Sequence, residues 1–298
     1  MKNRRILLLT NPNSGKGRAP KIALDIYRYA RTIGITVIIL EPGHSKDVAA
    51  EVERAINESA FDAVVAIGGD GLVHLALQVI TKYEIPLYVV PAGTGNDFAR
   101  SNQSMSLAPR KILETIYERT PQKIDLGEIS HGKEVRRFGQ ILSTGFDAQV
   151  NERANQNRII KGRMKYNYAT LAVLPNFEPI DYSLEIDGAV RNIQAMLVAV
   201  ANAPSYGGGM KLCPMANRSD GFLDVMILHP VTKLELLKVF PRVFSGSHVS
   251  HPAVEFLRVR KIEISAKTCA YADGERIGAL PISVSVTPFA LTTWVNST

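Results

Sequence analysis

The first 120 residues alternate apolar runs with helical segments, and this alternation restricts the possible fold more than any other feature. The runs RRILLLT, GITVIIL, FDAVVAIGG and IPLYVVPAG are nearly continuous apolar stretches, which predicts strands buried on both faces. Helices are predicted over residues 20–32, from about Asp47, and over LVHLALQVIT, which follows GGDG. Strands alternating with helices indicate a parallel sheet between two helical layers, and we assign this three-layer α/β domain to residues 1–125.

The pattern changes after residue 125, where strands become short, closely spaced and alternating in polarity. Asp-Gly pairs at 187–188, 220–221 and 273–274 predict hairpin turns between antiparallel strands, and VRRFGQILSTG is interpreted as one strand. Helical inserts are predicted over about 158–174 and 233–244. We expect a mainly antiparallel β-sandwich domain over 126–285, followed by a strand over 286–298 that returns to the first domain.

Composition is typical of a globular protein of two domains, since 46% of the 298 residues are hydrophobic and 21% are charged. The apolar run from Ile6 to Leu9 is too short for a signal peptide, and no run approaches the ~20 residues of a membrane span. Cys213 and Cys269 form no disulfide framework or metal motif, so we expect a cytoplasmic protein with reduced thiols.

The net charge of +7 is local, because residues 151–175 and 229–261 each carry a net charge of +4. Such stretches suit a phosphorylated substrate or an anionic membrane, and two solvated faces are an equal alternative. Nucleic acid is disfavoured as a partner because no nucleic-acid-binding motif accompanies the charge. Residues 233–244 mix apolar and basic side chains, which fits either a membrane interface or a partly buried helix with a basic outer face.

Three glycine-bearing segments, NPNSGKG, GGDG and PAGTGNDFA, follow predicted strands one, three and four. Ligands bind at the carboxyl ends of parallel strands, where glycines let backbone N–H groups approach phosphate oxygens. The segments do not match a P-loop, because Thr10 stands where its first glycine would be and Gly17 follows Lys16. Three such loops on one sheet edge predict a nucleotide-phosphate site of another kind.

These three motifs, in this order and spacing, resemble those of the bacterial diacylglycerol kinase family of lipid kinases, which is related to sphingosine kinases and NAD kinases. KIDLG, STGFDAQV, PMANRSDGFLDV and YADGE extend the resemblance along nearly the whole chain. It implies a diacylglycerol-kinase-like α/β domain, ATP and Mg²⁺ as cofactors, and a membrane lipid as substrate. A homodimer is left open.

The resemblance also implies which residues act. Asp70 would join a water–magnesium network with Asp97 and Asp125, although a lone Asp there could simply belong to a turn. Leu72 departs from the family, whose members often have Thr at this position, as does Leu75, where Glu is common. The residues implied to bind ATP are Asn11, Lys16, Gly68, Gly69, Asp70, Gly71, Leu72, Gly93, Thr94 and Asn96.

Two further sites are implied in the second domain. Glu275, with Asp273 beside it, would be the general base that takes the proton of the substrate hydroxyl, whereas a plain hairpin turn with an exposed Glu is the alternative. Asn217, Asp220 and Phe222 would hold a structural Mg²⁺ largely through backbone carbonyls.

The resemblance therefore implies a peripheral membrane enzyme that phosphorylates diacylglycerol to phosphatidic acid. Three alternatives remain open: a kinase for a sphingoid base or another lipid alcohol, an NAD kinase, and a non-catalytic regulator that binds lipid or nucleotide.

Overall fold

The computed structural model describes residues 4–44, 46–156 and 163–295. Two compact units make up the chain: unit 1 contains the residues up to Ile124 and those from Phe289 on, and unit 2 is Asp125–Pro288. Arg158 and Lys161 of the first basic stretch lie outside the described residues.

Unit 1 contains the predicted parallel sheet. Its strands lie in the order β2-β1-β3-β4, so the first, third and fourth strands of the chain are neighbours. The burial that the apolar runs predict is complete for β3 and β4. The strands are β1 (Arg5–Thr10), β2 (Thr36–Leu40), β3 (Ala63–Gly68) and β4 (Leu87–Pro91).

Helices follow the strands of unit 1 as the periodicity predicts. In the first of them, Ala19, Ala23, Ile26 and Ala30 recur at helical spacing and are buried against the sheet. The helix after GGDG begins at Asp70, two residues before the predicted Leu72. The helices are α1 (Arg18–Thr32), α2 (Asp47–Glu58), α3 (Asp70–Ile80), α4 (Asp97–Ser101) and α5 (Pro109–Glu118).

The end of the chain completes unit 1. Thr293 pairs in parallel with Leu87, and its hydroxyl donates to the Leu87 carbonyl over 2.7 Å. Trp294 is buried, packs edge-on against Tyr88 and donates its indole N–H to the Arg119 carbonyl over 3.0 Å. The core of unit 1 therefore depends on residues from both ends of the chain.

Unit 2 is a β-sandwich of mainly antiparallel strands, as predicted. One sheet has the order β12-β11-β10-β7-β14-β15, and β9, β8, β13 and the first part of β16 pair antiparallel in the other. The strands are β5 (Gln122–His131), β6 (Glu134–Phe138), β7 (Ile141–Thr144), β8 (Ile180–Ile186), β9 (Ala189–Ala195), β10 (Leu197–Ala201), β11 (Leu223–Leu228), β12 (Val254–Val259), β13 (Lys261–Ala266), β14 (Cys269–Ala272), β15 (Glu275–Ala279) and β16 (Ile282–Thr293).

The six-stranded sheet is buried on both faces. One face packs on the second sheet, with side chains such as Leu142, Val200 and Ile262 between them. Helices cover the other face and contribute Phe146, Leu236 and other apolar side chains. These helices are α6 (Phe146–Gln156), α7 (Arg163–Val173), α8 (Lys233–Val239) and α9 (Arg242–Ser245).

Two local predictions in this part of the chain are wrong, and one helix was not predicted. VRRFGQILSTG forms two strands, because β6 ends at Phe138 and β7 starts at Ile141. Asp220-Gly221 is not a hairpin turn, since it lies at the end of a long loop that precedes β11. A helix already begins at Phe146, within the segment quoted as STGFDAQV. The Asp-Gly turns at 187–188 and 273–274 do connect paired strands, as predicted.

Candidate functional site

The three glycine-bearing loops of unit 1 lie against each other. A Cβ atom added to Gly93 would lie 2.5 Å from the Cα of Gly69, so two backbones meet here with no room for a side chain. At Gly15, whose φ is +60°, an added Cβ would lie 2.2 Å from the Ala92 carbonyl oxygen. The order of β1, β3 and β4 in the sheet brings the loops together, and the glycines permit the close approach.

Asp70 connects two of these loops. Its Oδ1 accepts hydrogen bonds from the backbone N–H groups of Asp97 over 2.7 Å and of Phe98 over 3.3 Å. A Cβ added to Gly95 would lie 2.6 Å from Oδ2 of Asp70 and 3.2 Å from Oδ2 of Asp97, so both carboxylates lie against this glycine. Two of the three residues of the predicted charged network are thus brought together.

This pair of carboxylates fits a magnesium ion. Mg²⁺ is commonly bound by one or two carboxylates, with water and substrate phosphate as its other ligands. No group of three or more His, Cys, Asp and Glu side chains in the part of the chain that the structure describes could hold a metal by itself. A metal at Asp70 and Asp97 would therefore need ligands from water and nucleotide.

Asn96 closes the third loop. Its φ is +55°, its Oδ1 accepts from the Gly93 N–H over 2.8 Å, and its Nδ2 donates to the Gly93 carbonyl over 3.0 Å. Arg100 donates to the Gly95 carbonyl over 3.0 Å. Sequence reasoning did not single out Gly95 or Arg100, although the repeated glycines of PAGTGNDFA were a signal for Gly95.

Leu72 is a packing residue in this structure. Its side chain is buried, and a Cβ added to Gly68 would lie 2.6 Å from its Cδ2. Its backbone N–H donates to the Gly69 carbonyl over 3.0 Å. Thr94 is exposed in the neighbouring loop and presents its hydroxyl to solvent.

The loop after β1 supplies the basic side chain. Asn11 Oδ1 accepts from the Asn13 N–H over 2.9 Å, and the Asn11 carbonyl accepts from the Ser14 N–H over 2.9 Å. The following turn holds Lys16 at a φ of +58°, with its side chain exposed. The side chain of Asn11 therefore shapes the loop, and Lys16 is the charged group that it presents.

The turn of YADGE lies in unit 2, between β14 and β15. Asp273 has a φ of +51°, and its two carboxylate oxygens accept from the N–H groups of Gly139 over 2.8 Å and Gln140 over 2.9 Å. Its own N–H donates to the Ile141 carbonyl over 3.1 Å. Glu275 starts β15 and is exposed. Asp273 thus fixes the turn, and the Glu275 carboxylate projects from it to solvent.

A polar cluster lies beside the strand that leads to this turn. Ser143 of β7 pairs with Tyr271 of β14, and its hydroxyl donates to Oδ2 of Asp147 through a very short hydrogen bond. Asn151 donates to the same oxygen over 3.0 Å. Burial raises the pKa of the Asp147 carboxyl, and hydrogen bonds from Ser143, Tyr206 and Asn151 oppose that shift. The motif STGFDAQV by itself assigned no role to Asp147.

Asp125 lies in unit 2 and contacts the loop that was predicted to hold a structural metal. It is buried, its Oδ2 accepts from the Gly221 N–H over 2.8 Å, and its N–H donates to the Arg218 carbonyl over 2.6 Å. Its own carbonyl accepts from Asn202 over 2.9 Å.

The side chains of Asn217, Asp220 and Phe222 interact with other groups of the protein. Asn217 Oδ1 accepts from the Ser219 N–H, and Asp220 accepts from the Phe222 N–H and pairs with Arg258. The guanidinium groups of Arg258 and Arg260 lie over the ring of Phe222. A metal here would depend on backbone carbonyls, so this site stays a prediction.

Two family models match the chain. Residues 5–129 match the diacylglycerol kinase catalytic domain, and residues 140–295 match the YegS C-terminal NAD kinase beta sandwich-like domain. Together with the phosphate-type loops, these matches define a phosphotransferase with an alcohol acceptor. The matches cover the phosphate loops in the first case and the YADGE turn in the second.

Curated relatives specify the class further. The chain is 36% identical to a diacylglycerol kinase of Mycobacterium tuberculosis over 96% of this chain and 94% of that protein, and 26% identical to one of Bacillus subtilis over 93% and 92%. A crystal structure of a diacylglycerol kinase from Bacillus anthracis aligns over 99% of this chain and 98% of that one, with a TM-score of 0.73 and 18% identity. The chain belongs to the diacylglycerol kinase family and is a lipid kinase.

Proposed function

We propose that this lipid kinase transfers the γ-phosphoryl group of ATP to the free hydroxyl of diacylglycerol, giving phosphatidic acid and ADP. The single observation that carries the proposal is the close packing of three glycine-bearing loops in unit 1, two of which are joined by the Asp70 carboxylate. The curated relatives that match nearly the whole chain are named diacylglycerol kinases, which supports the choice of acceptor.

The loops of unit 1 bind the phosphates of ATP in this proposal. Backbone N–H groups at Gly69, Asp70 and Gly71 lie at the start of α3, where the helix dipole favours negative charge. Lys16 and the Thr94 hydroxyl are exposed in the two neighbouring loops and add a charge and a donor. Leu72 and Asn96 contribute through structure, since Leu72 packs on Gly68 and Asn96 closes the Gly93 loop.

Magnesium, held by Asp70 with Asp97 beside it, would neutralise charge on the transferred phosphoryl group. The fixed Asp70 orientation suits that task, because Oδ1 is held by two backbone N–H groups and Oδ2 points to the Gly95 side. Asp125 as a third member of this network remains part of the proposal.

Glu275 acts as the general base. It takes the proton of the lipid hydroxyl, whose oxygen forms a bond to the γ-phosphorus while the bond to the bridging oxygen of ADP breaks. Asp273 holds the turn that carries Glu275, through its hydrogen bonds to the Gly139 and Gln140 amides.

A lipid panel tests the proposal. The protein is incubated with labelled ATP and Mg²⁺ in mixed micelles that contain diacylglycerol, sphingosine, monoacylglycerol or ceramide, with NAD in a separate reaction. We expect label on diacylglycerol. Label on sphingosine or NAD alone would reject the proposed acceptor.

The base is tested by Glu275→Gln, which keeps the size of the side chain and removes its basicity. We expect unchanged ATP binding and a loss of transfer of at least about a hundredfold. Glu263→Gln, at a half-buried Glu on β13 of the same unit, is the matched control and should retain full activity. Near-normal turnover by the Glu275→Gln protein would remove Glu275 as the base.

A further inference from the structure

Two short helices of unit 2 expose a group of large apolar side chains. Leu234 and Leu237 on α8 are 64% and 40% exposed, Phe244 on α9 is 46% exposed, and Val249 in the turn that follows is 41% exposed. Leu234 and Leu237 lie one turn apart and so point from the same side of α8. Exposed apolar residues scattered singly need no explanation, but four within sixteen residues form a patch.

The same segment is anchored firmly on its inner side. Leu236, Val239 and Val243 are buried, and Leu236 and Val243 belong to the core that covers the six-stranded sheet. The Phe240 and Phe244 rings meet edge to face with centroids 6.4 Å apart. The outer side chains are therefore presented on a fixed surface and cannot turn into the core.

Basic side chains flank these apolar groups. Lys238 and Arg242 are exposed, and no described ion pair includes either of them. Three other basic residues of 229–261 form ion pairs: Lys233 meets Glu178 at 3.1 Å, Arg258 pairs with Asp220, and Lys261 meets Glu263 at 2.8 Å. The acid of α8, Glu235, lies 3.3 Å from His251.

We infer that this surface, formed by Leu234, Leu237, Lys238, Arg242, Phe244 and Val249 and called the α8–α9 face, docks on an anionic lipid bilayer. Apolar side chains next to unpaired cations match the acyl boundary and the anionic headgroups of a membrane. The inference rests on the proposed function in one respect: a diacylglycerol substrate is located in such a bilayer. Among the described residues, no helix is long and apolar enough to cross a membrane, so docking would be peripheral.

The test measures binding without catalysis. The full chain is sedimented with phosphatidylcholine vesicles that contain or lack phosphatidylglycerol, in the absence of ATP and diacylglycerol. We expect Leu237→Ser with Phe244→Ser to weaken binding to the anionic vesicles at least about tenfold. Lys238→Gln with Arg242→Gln should also weaken it about tenfold or more, and added salt should reduce the wild-type binding.

Matched controls are available on other elements of unit 2. Val190→Gln and Lys133→Gln replace an exposed apolar and an exposed basic residue there, and should leave vesicle binding unchanged. Every variant is compared with wild type by thermal unfolding. Lys238 and Arg242 are exposed, so the basic double variant should keep the wild-type unfolding temperature. The Leu237→Ser with Phe244→Ser protein is assayed below its own unfolding temperature, because Phe244 packs edge to face on Phe240.

Catalysis then separates the two proposals. Variants of the α8–α9 face should phosphorylate a dissolved short-chain diacylglycerol at the wild-type rate and lose about tenfold on vesicle-embedded diacylglycerol. Failure of wild type to phosphorylate any diacylglycerol would reject the proposed function while leaving the binding result intact. Wild-type vesicle binding by the face variants would overturn the inference. The inference would also be overturned if the wild type were a dimer and these variants made it monomeric without changing vesicle binding. The face would then be a contact between two copies of the chain.

Discussion

Asp70 holds the start of α3 against the loop after β4 through the amides of Asp97 and Phe98, and it is also the proposed metal ligand. Asp70→Asn separates these roles, because the amide oxygen still accepts both hydrogen bonds while the charge is lost. We expect activity to fall at least about a hundredfold, with the free energy of unfolding changed by no more than about 1 kcal/mol. Turnover assays and urea unfolding measure the two effects.

Asp62→Asn is the matched control, since Asp62 Oδ2 also accepts from a backbone N–H, that of Arg5, over 2.8 Å. Asp62 precedes β3, at the opposite end of that strand from Asp70. Normal activity in this variant, combined with loss in Asp70→Asn, would locate the effect at the loops. Equal losses in both would indicate a general structural cause.

Gly93 tests the close approach of two loops. A Cβ at Gly93 would lie 2.5 Å from the Gly69 Cα, so Gly93→Ala must separate the two backbones. We expect a loss of about 1–3 kcal/mol in the free energy of unfolding and a raised KM for ATP. Gly43→Ala is the control, because a Cβ there meets nothing within 4 Å. A Gly93→Ala protein with wild-type KM would show that the loops are not close packed at the nucleotide.

At the scale of elements, one ionic cluster joins the two sheets of unit 2. Arg191 of β9 donates to both oxygens of Glu255 of β12, over 2.6 and 2.8 Å, and His229 lies 2.7 Å from the same carboxylate. The hydrogen bond from Arg191 is the main cause that lowers the pKa of Glu255, with His229 adding to it. A partly exposed cluster of this kind contributes about 1 kcal/mol.

Glu255→Gln should therefore lower the free energy of unfolding by about 1 kcal/mol at neutral pH. Because the pKa of Glu255 is lower in the folded state, this contribution is complete above the ordinary Glu pKa of about 4.3 and is lost as the pH falls below it. Denaturant unfolding of both proteins across that range measures the difference. A difference that grows as the pH falls would contradict the assigned cause.

The clearest prediction at the scale of the whole molecule concerns Trp294, near the chain's end. Its buried ring contacts Tyr88, and its N–H donates to the carbonyl of Arg119, 175 positions earlier in the chain, so unit 1 depends on a residue far from its main segment. Trp294→Ala should cost about 3–5 kcal/mol in the free energy of unfolding. Leu24→Ala, at a 40% exposed position on α1, should cost much less. Similar losses in the two variants would show that the end of the chain is not part of the core.

Some parts of the fold could be predicted from local pattern. The continuous apolar runs of β3 and β4 are buried completely, and Pro241 separates α8 from α9 because it cannot continue a helix. Other parts could not. Asp220-Gly221 has the composition of a hairpin turn, but β10, the strand that pairs with β11, already ends at Ala201, so a long loop connects the two strands. The helix at Phe146 has a weak apolar pattern, since it includes the polar residues Asp147 and Asn151, and the Asp147 carboxylate accepts from both Ser143 and Asn151.

In the candidate site, too, some features could be predicted from the sequence and others could not. The presence of glycines and carboxylates after three apolar runs is a property of the sequence, and so is the prediction that backbone groups bind phosphate there. The sequence does not show which of these functional groups remain available to a ligand. Leu72 packs on Gly68, Asn96 closes a loop, and Asp273 holds a turn, and these roles depend on neighbours that are far away or on local dihedral angles.

By itself, the sequence determined most of the element types, the two kinds of sheet and the family, because hydrophobic periodicity and motif order are local properties of the chain. The tertiary structure alone decided that the loops after β1, β3 and β4 meet, since that contact follows from the order of strands in the sheet. It also decided that Asp70 Oδ1 accepts from amides 27 and 28 residues away, and that the apolar groups of α8 and α9 divide between core and solvent. Each of these features depends on contacts between segments that are far apart in the chain, and no local sequence pattern shows that such segments meet.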